Sequence, residues 1–549
     1  MSKISEYPEL VTPTDDDLLV TVNAGVTKKI KRANFLGKTL NYIGIAGTAG
    51  FGVGICPNTL PAGMLPLTGY DVIGNDQYGN YQYSDGSIMV WVPKFYYKVL
   101  HDGSTNINKV LIASVYDYQD ETAANTAGYA LHRAFIDGGV IKDGFFIDKY
   151  KWSLTAFVNG SAGIASSIKN GNPITSSSEA NRDASNLYAG SFADCISNSQ
   201  TPAENYGGAW AAAKSRGANF AVWSMFIHSA IALLSLAHGQ AATSTTNCAW
   251  YLTNKNYPKG HNNYGADIDD ATCTFAVCDD GYWAARNEAR KNGSGTLFAK
   301  TTHNGQNCGV ADLQGDQYQI AQGLTAIVST LNVSGTADVG GTAIEVTTDA
   351  AHGLTTNNWV MLTSVGGTTI LNSKVWKVTV TAADKFTVVS GGFVAWTSAG
   401  TVTKGKFYAL KESVAIKNVT GSNAGATDHF GATGVAALME EIVPNFANGG
   451  GFDQRFGNST NQVLPFNTSR TNNSYKLGAL GLPDVSGMST GGSNLFGLDY
   501  FYQYLRDELC PILGGYWDDS TIAGVWIVAL SYYRAYSAGY VSGRACLYV

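Results

Sequence analysis

Charge is scarce in this sequence. Only 14% of its 549 residues are Asp, Glu, Lys or Arg, against roughly a quarter in an ordinary globular chain. The balance is mildly acidic, with a formal net charge of -6. That leaves no basic footprint and excludes nucleic acid as an expected partner. The eight cysteines, at 56, 195, 248, 273, 278, 308, 510 and 546, form no CxxC pair and match no zinc-ligand spacing. Buried free thiols in a reducing cytosol are therefore expected, with no metal and no cofactor. HExxH and HxH are missing, which removes the common zinc-protease signatures. No self-similarity at 20 to 50 residues is visible, which speaks against a propeller or β-helix. The opening MSKISEYPEL carries charge and proline instead of an apolar run, so no secretory signal is expected.

What is abundant is glycine, 63 residues, and tyrosine, 30. With many Ser, Thr and Asn, this suits a rigid scaffold of short strands and frequent turns; a disordered chain would lack the rings. The length allows two to four domains, each with a core of its own. One stretch has near-spanning length without charge, NFAVWSMFIHSAIALLSLAHG at 219–239. Two histidines and three serines interrupt it and no basic flank orients it, so a helix buried inside a large domain is expected, not membrane insertion.

Along the chain, residues 1–36 read as a separate piece, in which LLVTV and TKKIKRA flank NAGV as a hairpin. Residues 37–135 form a β-rich connecting region, with SIMVWVPKFYYKVL a strand pair broken at Pro93. Helical and strand signals mix from 136 to 327. Between 328 and 406 the composition turns to Thr, Val and Gly, with the short alternating runs AIEVTTDA, NWVMLTSV, KVWKVTV and KFTVVSG. Ile, Val and aromatic positions face one way and Glu345, Lys374 and Thr the other, as in a small all-β module inserted into a host loop. Residues 407–549 return to the mixed helical and strand character of 136–327.

Three stretches carry a resemblance. GFFIDKYKWSLTAF (144–157) resembles the opening strand and helix of the formylglycine-generating-enzyme branch of the C-type lectin fold. NCGVADLQGDQYQ (307–319) is similar to that family's Gly-Leu-x-Asp-Met-x-Gly-Asn-x-Trp-Glu signature, with Gly309, Asp312, Gly315 and Tyr318 in the matching places and Asp316 for the usual Asn. The stretch 514–549 resembles the family's closing segment and ends in the Gly-Gly-x-Trp … Gly-x-Arg-x-Cys frame of bacteriophage tail receptor-binding proteins of the major-tropism-determinant type. The resemblance implies an α+β class: a C-type-lectin-like domain in two parts, 136–327 and 407–549, around the inserted β-module, after a short β-rich N-terminal segment. It implies no enzyme, since only Cys546 lies in the closing segment where the catalytic family carries a cysteine pair. It also implies a homotrimeric virion component made in the host cytoplasm. The N-terminal 36 residues are similar to virion-attachment segments that bind other tail proteins.

The closing segment agrees in its composition. Eight aromatics fall within residues 514–549, with only four charges, Asp518, Asp519, Arg534 and Arg544. Tyr among Ser, Gly and Asp is the chemistry of adaptable binding loops, because a stiff ring offers amphipathic area at little entropic cost. The expected face for a bacterial surface receptor, glycan or protein, comprises Tyr516, Asp518, Asp519, Trp526, Tyr532, Tyr533, Arg534, Tyr536 and Tyr540. Trp517 and Tyr548, beside the frame, are expected in the core. Adjacent Tyr532 and Tyr533 would leave a strand on opposite sides, so at least one should face out. Three further candidates are weaker. Asp267, Asp269 and Asp270 have oxygen ligands at short spacing but lack the glycine and glutamate of a calcium loop. Glu440 and Glu441 are adjacent and better suit a helix surface than a glycosidase pair. GTAGFGVG (47–54) lacks the Lys-Ser/Thr of a phosphate loop and reads as a turn.

Overall fold

The uncharged stretch at 219–239 is where the core begins. Ser224 caps a helix over Met225–Ala241 by accepting the Ile227 N–H at 3.3 Å, and fifteen of the helix's seventeen residues are buried. The computed structural model describes residues 18–23, 26–31, 41–101, 108–155, 163–176, 192, 206–252, 270–276, 288–420, 429–456, 463–485, 488 and 498–549. Among them no helix is long and apolar enough to cross a membrane.

The strand Asn108–Ser114 and the helix Asn473–Ala479 pack against it. The expected α+β class does not hold: among the described residues strand outweighs helix 32% to 16%, and five α-helices are scattered among several sheets. The chain is β-rich. Of those five, only Met225–Ala241 exceeds nine residues, because Gly, Thr and β-branched residues interrupt most stretches before a helix can recover its nucleation cost.

One antiparallel six-stranded sheet runs in the order Ala221–Val222, Ala545–Leu547, Gly144–Asp148, Ile88–Pro93, Asn80–Tyr83, Met64–Pro66. The chain's last strand therefore lies between its middle parts, with Phe146 opposite Leu547 and Ile147 opposite Cys546. A second six-stranded sheet, of mixed direction, joins Asp453–Arg455, Tyr500–Tyr502, Val528–Ala529, Ile512–Leu513, Tyr318–Ile320 and Val541–Ser542. This sheet carries the aromatic segments.

The Thr/Val-rich region has a core of its own, built from Val333, Ile344, Val346, Trp376, Phe386 and Val388 among others. In Ala343–Thr348 burial alternates, Ile344 and Val346 inward and Glu345 outward. The flanking strands Leu324–Asp338 and Thr401–Leu410 are continuous through 328 and 406, paired from Leu324 with Ala409 to Asn332 with Thr401. Sheet hydrogen bonds thus carry the host into this region without a break. At the other end of the chain, Leu18–Asn23 and Val26–Lys31 pair antiparallel as a hairpin; the rest of residues 1–36 lies outside the described residues.

Six charges placed in the core are paired with one another or with Asp85. Arg216 bonds Asp85 at 2.7 Å and also Asp148, which accepts the Trp152 indole N–H at 2.9 Å and the Ala545 amide at 2.7 Å. Arg290 bonds Asp312 at 2.7 Å, and Lys151 bonds Asp316. The two acids of the 307–319 motif are therefore structural. Gly514 shows the same tightness: its φ is +87°, and a Cβ there would meet the Leu313 carbonyl oxygen at 2.2 Å. Gly514→Ala is expected to lower stability by about 1–3 kcal/mol. The check is a lower urea midpoint at unchanged slope.

Candidate functional site

In YFYQY (500–504) every second residue is a tyrosine, and strand alternation separates the two sets. Phe501 and Gln503 are buried, Gln503 accepting the Ala447 amide at 2.8 Å and donating to the Gly451 carbonyl at 2.7 Å. Tyr502 and Tyr504 are left half-buried and stacked at 6.3 Å, with Phe452 5.0 Å from Tyr504. The Arg506 guanidinium continues this row, 5.3 Å from the Tyr504 ring and 5.4 Å from the Tyr533 ring.

From Tyr533 the rings carry on. Tyr536 lies 6.5 Å from Tyr533, 4.5 Å from Tyr532 and 6.3 Å from Tyr540. Tyr540 lies 4.7 Å from Tyr516, which stacks on buried Tyr318 at 5.5 Å. The Tyr318 hydroxyl in turn meets that of Tyr500 at 2.5 Å. Phe452 to Tyr516 is one belt of rings, anchored beneath by Tyr318.

Residues 531–540 have almost no regular structure, so something else must hold them. Leu509 and Tyr533 form a bridge, and the Cys510 and Arg534 amides donate to the Tyr532 and Glu508 carbonyls at 3.1 Å each. Arg534 grips Glu508 through two contacts, 2.8 and 3.0 Å. Ser176 accepts the Ala538 amide at 2.9 Å, and its carbonyl takes the Ser537 hydroxyl at 2.9 Å. The Tyr206 amide donates to the Arg534 carbonyl at 2.9 Å. Contacts on both flanks fix the loop before any ligand arrives, which lowers the entropy cost of binding. Burial pushes the Tyr532 phenol up to about 12 and raises Tyr536 and Tyr540 as well, so all three present neutral hydroxyls near neutral pH.

The structure sorts the expected face residue by residue. Tyr533 is 40% exposed; Tyr516, Tyr532, Tyr536 and Tyr540 are half-buried members of the belt. Asp518 is exposed and accepts the Tyr516 hydroxyl at 3.3 Å, while Asp519 accepts the Tyr516 amide at 2.8 Å. Arg534 is a positioning group, occupied by Glu508. Trp526 leaves the site: it is 2% exposed and packs 5.9 Å from Phe456 because the neighbouring strand Val528–Ala529 lies inside the second sheet. Trp517 is buried, and the Tyr548 hydroxyl donates inward to the Ala134 carbonyl at 2.6 Å. Sequence reasoning missed Phe452, Tyr502, Tyr504 and Arg506. The period-two tyrosines of YFYQY were the available signal.

The other candidates do not assemble into sites. Glu440 and Glu441 lie on the strand Met439–Ile442, not on a helix, and pair with Lys476 at 2.6 Å and Lys406 at 2.7 Å. Asp270 accepts the Thr272 and Leu297 amides and so closes its own loop; Asp267 and Asp269 lie outside the described residues. No cluster of metal-ligating side chains occurs among the described residues. The six described cysteines are free thiols, and burial raises Cys510 and Cys546 well away from reactive thiolate behaviour. Cys195 and Cys278 lie outside the described residues. Residues 47–54 form turns.

A cleft of about 420 Å³ opens where the belt meets the Thr/Val-rich region. Tyr504, Arg506 and Tyr533 line one wall, and Ser329, Thr330 and Thr403 the other. Compared with known proteins, the chain matches no protein-family model and no curated protein.

Proposed function

We propose that the chain is a receptor-binding protein of a bacteriophage tail fibre or tail tip, attaching the virion to the surface of its bacterial host. The tyrosine belt carries this reading: a row of stiff amphipathic rings, partly open to solvent and held by fixed contacts. Such rings stack on the apolar faces of sugars or pack on protein side chains, while hydroxyls and Asp518 supply polar contacts. Adhesion is reversible and non-covalent, and the chain is not an enzyme. The receptor is a surface glycan or a surface protein. Binding at one such site is weak, so a homotrimer presenting three belts supplies the avidity. The N-terminal segment, which includes the hairpin, docks to other tail proteins. The Gly-Gly-x-Trp … Gly-x-Arg-x-Cys resemblance supports the same assignment.

Labelled protein applied to a panel of bacterial cells is the test, beside a variant with Tyr532, Tyr533 and Tyr536 changed to Ser. The variant is expected to lose at least tenfold in cell binding, about 1.4 kcal/mol or more. Tyr533→Ser alone, at an exposed position, should keep the wild-type melting temperature and lose part of that binding. If neither variant loses binding, or the wild type binds no cell, the belt is an assembly contact with a neighbouring tail protein and the adhesin reading fails.

A further inference from the structure

Arg506 is set apart from the other cations around the belt. Its Nε donates to the Ser531 carbonyl at 2.6 Å, and among the described residues no carboxylate lies within ion-pair distance of it. The neighbouring acids are engaged elsewhere: Asp507 accepts the Val328 amide at 2.8 Å, and Glu508 is paired with Arg534. What holds the guanidinium is aromatic, the rings of Tyr504 and Tyr533 at 5.3 and 5.4 Å. A planar cation fixed between two rings, with its terminal N–H groups uncommitted, is a preformed receptor for a planar or tetrahedral anion.

The cleft beside it has the size of a small-ligand site, about 420 Å³. Its lining combines the Arg506 cation, two phenol rings, the strand residues Ser329, Thr330 and Thr403, and two acids, Asp507 and Glu508, which are engaged by the Val328 amide and by Arg534. An apolar ligand would leave the guanidinium unmatched, and a bare anion would leave the rings unused. A sugar ring bearing an anionic group uses all three, the ring face on tyrosine, the ring hydroxyls on the Ser and Thr wall, and the anion on Arg506.

We infer that this cleft binds an acidic sugar, its anionic group held by Arg506 between Tyr504 and Tyr533. The inference rests on the adhesin reading and names the receptor chemistry of that face. Uronic acids supply the anion as carboxylate and sugar phosphates supply it as phosphate. The full-length protein is titrated by saturation-transfer NMR with methyl β-glucuronide, glucose 6-phosphate and methyl β-glucoside. One or both acidic sugars are expected to bind at least tenfold more tightly than the neutral glucoside, and the preference should weaken as salt is raised. Which acidic sugar binds better identifies the anion. Arg506→Gln should abolish the preference at an unchanged melting temperature, and Arg506→Lys should keep part of it, since an ammonium retains charge without the planar fork.

Equal binding of acidic and neutral sugars, binding of none, or an Arg506→Gln variant that still prefers the acidic sugar overturns the inference. The adhesin reading fails separately. If Arg506→Gln binds cells like wild type while the tyrosine variant does not, adhesion stands and the acidic-sugar site falls.

Discussion

Taking the protein from pH 7 to pH 5 is expected to unfold it, or to lower its melting temperature by tens of degrees. Five buried histidines, of eight in the sequence, are held uncharged. Burial lowers His228 and His238 to about 4 and His132, His303 and His429 to about 3, helped at His132 by Arg133 and at His303 by His238. Their surroundings agree with neutral rings. His132 Nδ1 accepts the Ala134 amide and His303 Nδ1 the Val310 amide, each at 3.1 Å, and neither acceptor survives protonation. His238 stacks on Phe51 at 5.3 Å and accepts the Gly47 amide at 3.1 Å. Once unfolded, each ring takes a proton near pH 6.5, so the unfolded chain binds more protons below that pH and stability falls with it. The stabilising contribution is complete above 6.5 and drains away as pH drops toward 4. Each unit below 6.5 costs about 1.4 kcal/mol per histidine, and together roughly 10 kcal/mol is lost by pH 5. That is comparable to the whole stability of an ordinary domain. Burial raises Asp148 and Asp137, so these two carboxyls bind protons more readily in the folded chain and offset part of that loss. Melting curves at half-unit steps from pH 8 to 4.5 check the expectation. A melting temperature that is flat between 7 and 5 refutes it.

Those histidines mark how far the sequence could be read. His228 and His238 sat in a charge-free run, so their burial in Met225–Ala241 was legible from composition and length. So was the alternation that buries Ile344 and Val346, because a strand's period leaves its trace in consecutive residues. Sheet order leaves no such trace. Nothing near Gly144–Asp148 announces that Ala545–Leu547 will lie beside it, or that Val528–Ala529 will be enclosed and draw Trp526 inward. Helix content was overestimated for a related reason: local runs such as MEEI suit either state, and tertiary pairing of Phe407 with Ile442 settled it as strand directly after the helix Ala432–Leu438. The candidate face was half legible. Residues 532–540 stood out by ring density, whereas Tyr502, Tyr504 and Arg506 join them only because the second sheet places Tyr500–Tyr502 beside Val528–Ala529.

Two arginines ten positions apart separate frame from face. Arg544 has no exposed surface, and burial brings its guanidinium down to about 10, still charged at neutral pH. It donates to Gln319 Oε1 at 2.5 Å and to the carbonyls of Ala311, Asp148 and Asp312 at 2.8, 3.0 and 3.1 Å, with the Trp223 ring 5.2 Å away. These acceptors belong to the strand before Lys149, the 307–319 loop and the second sheet, so one side chain ties both sheets to the terminal strand. Methionine there would fill most of the volume but leave several buried acceptors without donors, each worth about 1–3 kcal/mol. Arg544→Met is expected to lose about 3–5 kcal/mol after partial relaxation. Arg544→Lys should recover little, since an ammonium cannot span the same fork of acceptors. Arg534, partly solvated in its pair with Glu508, should cost about 1 kcal/mol or less as Arg534→Met. Urea unfolding of the three variants decides it. Comparable losses at 534 and 544 would mean that the belt's loop belongs to the frame, and a loop bound that tightly into the fold could not be exchanged for another without refolding the sheet beneath it. A large gap between them would leave the ring-bearing loop free to change while Arg544 keeps the sheets together, which is what an attachment face under changing receptors requires.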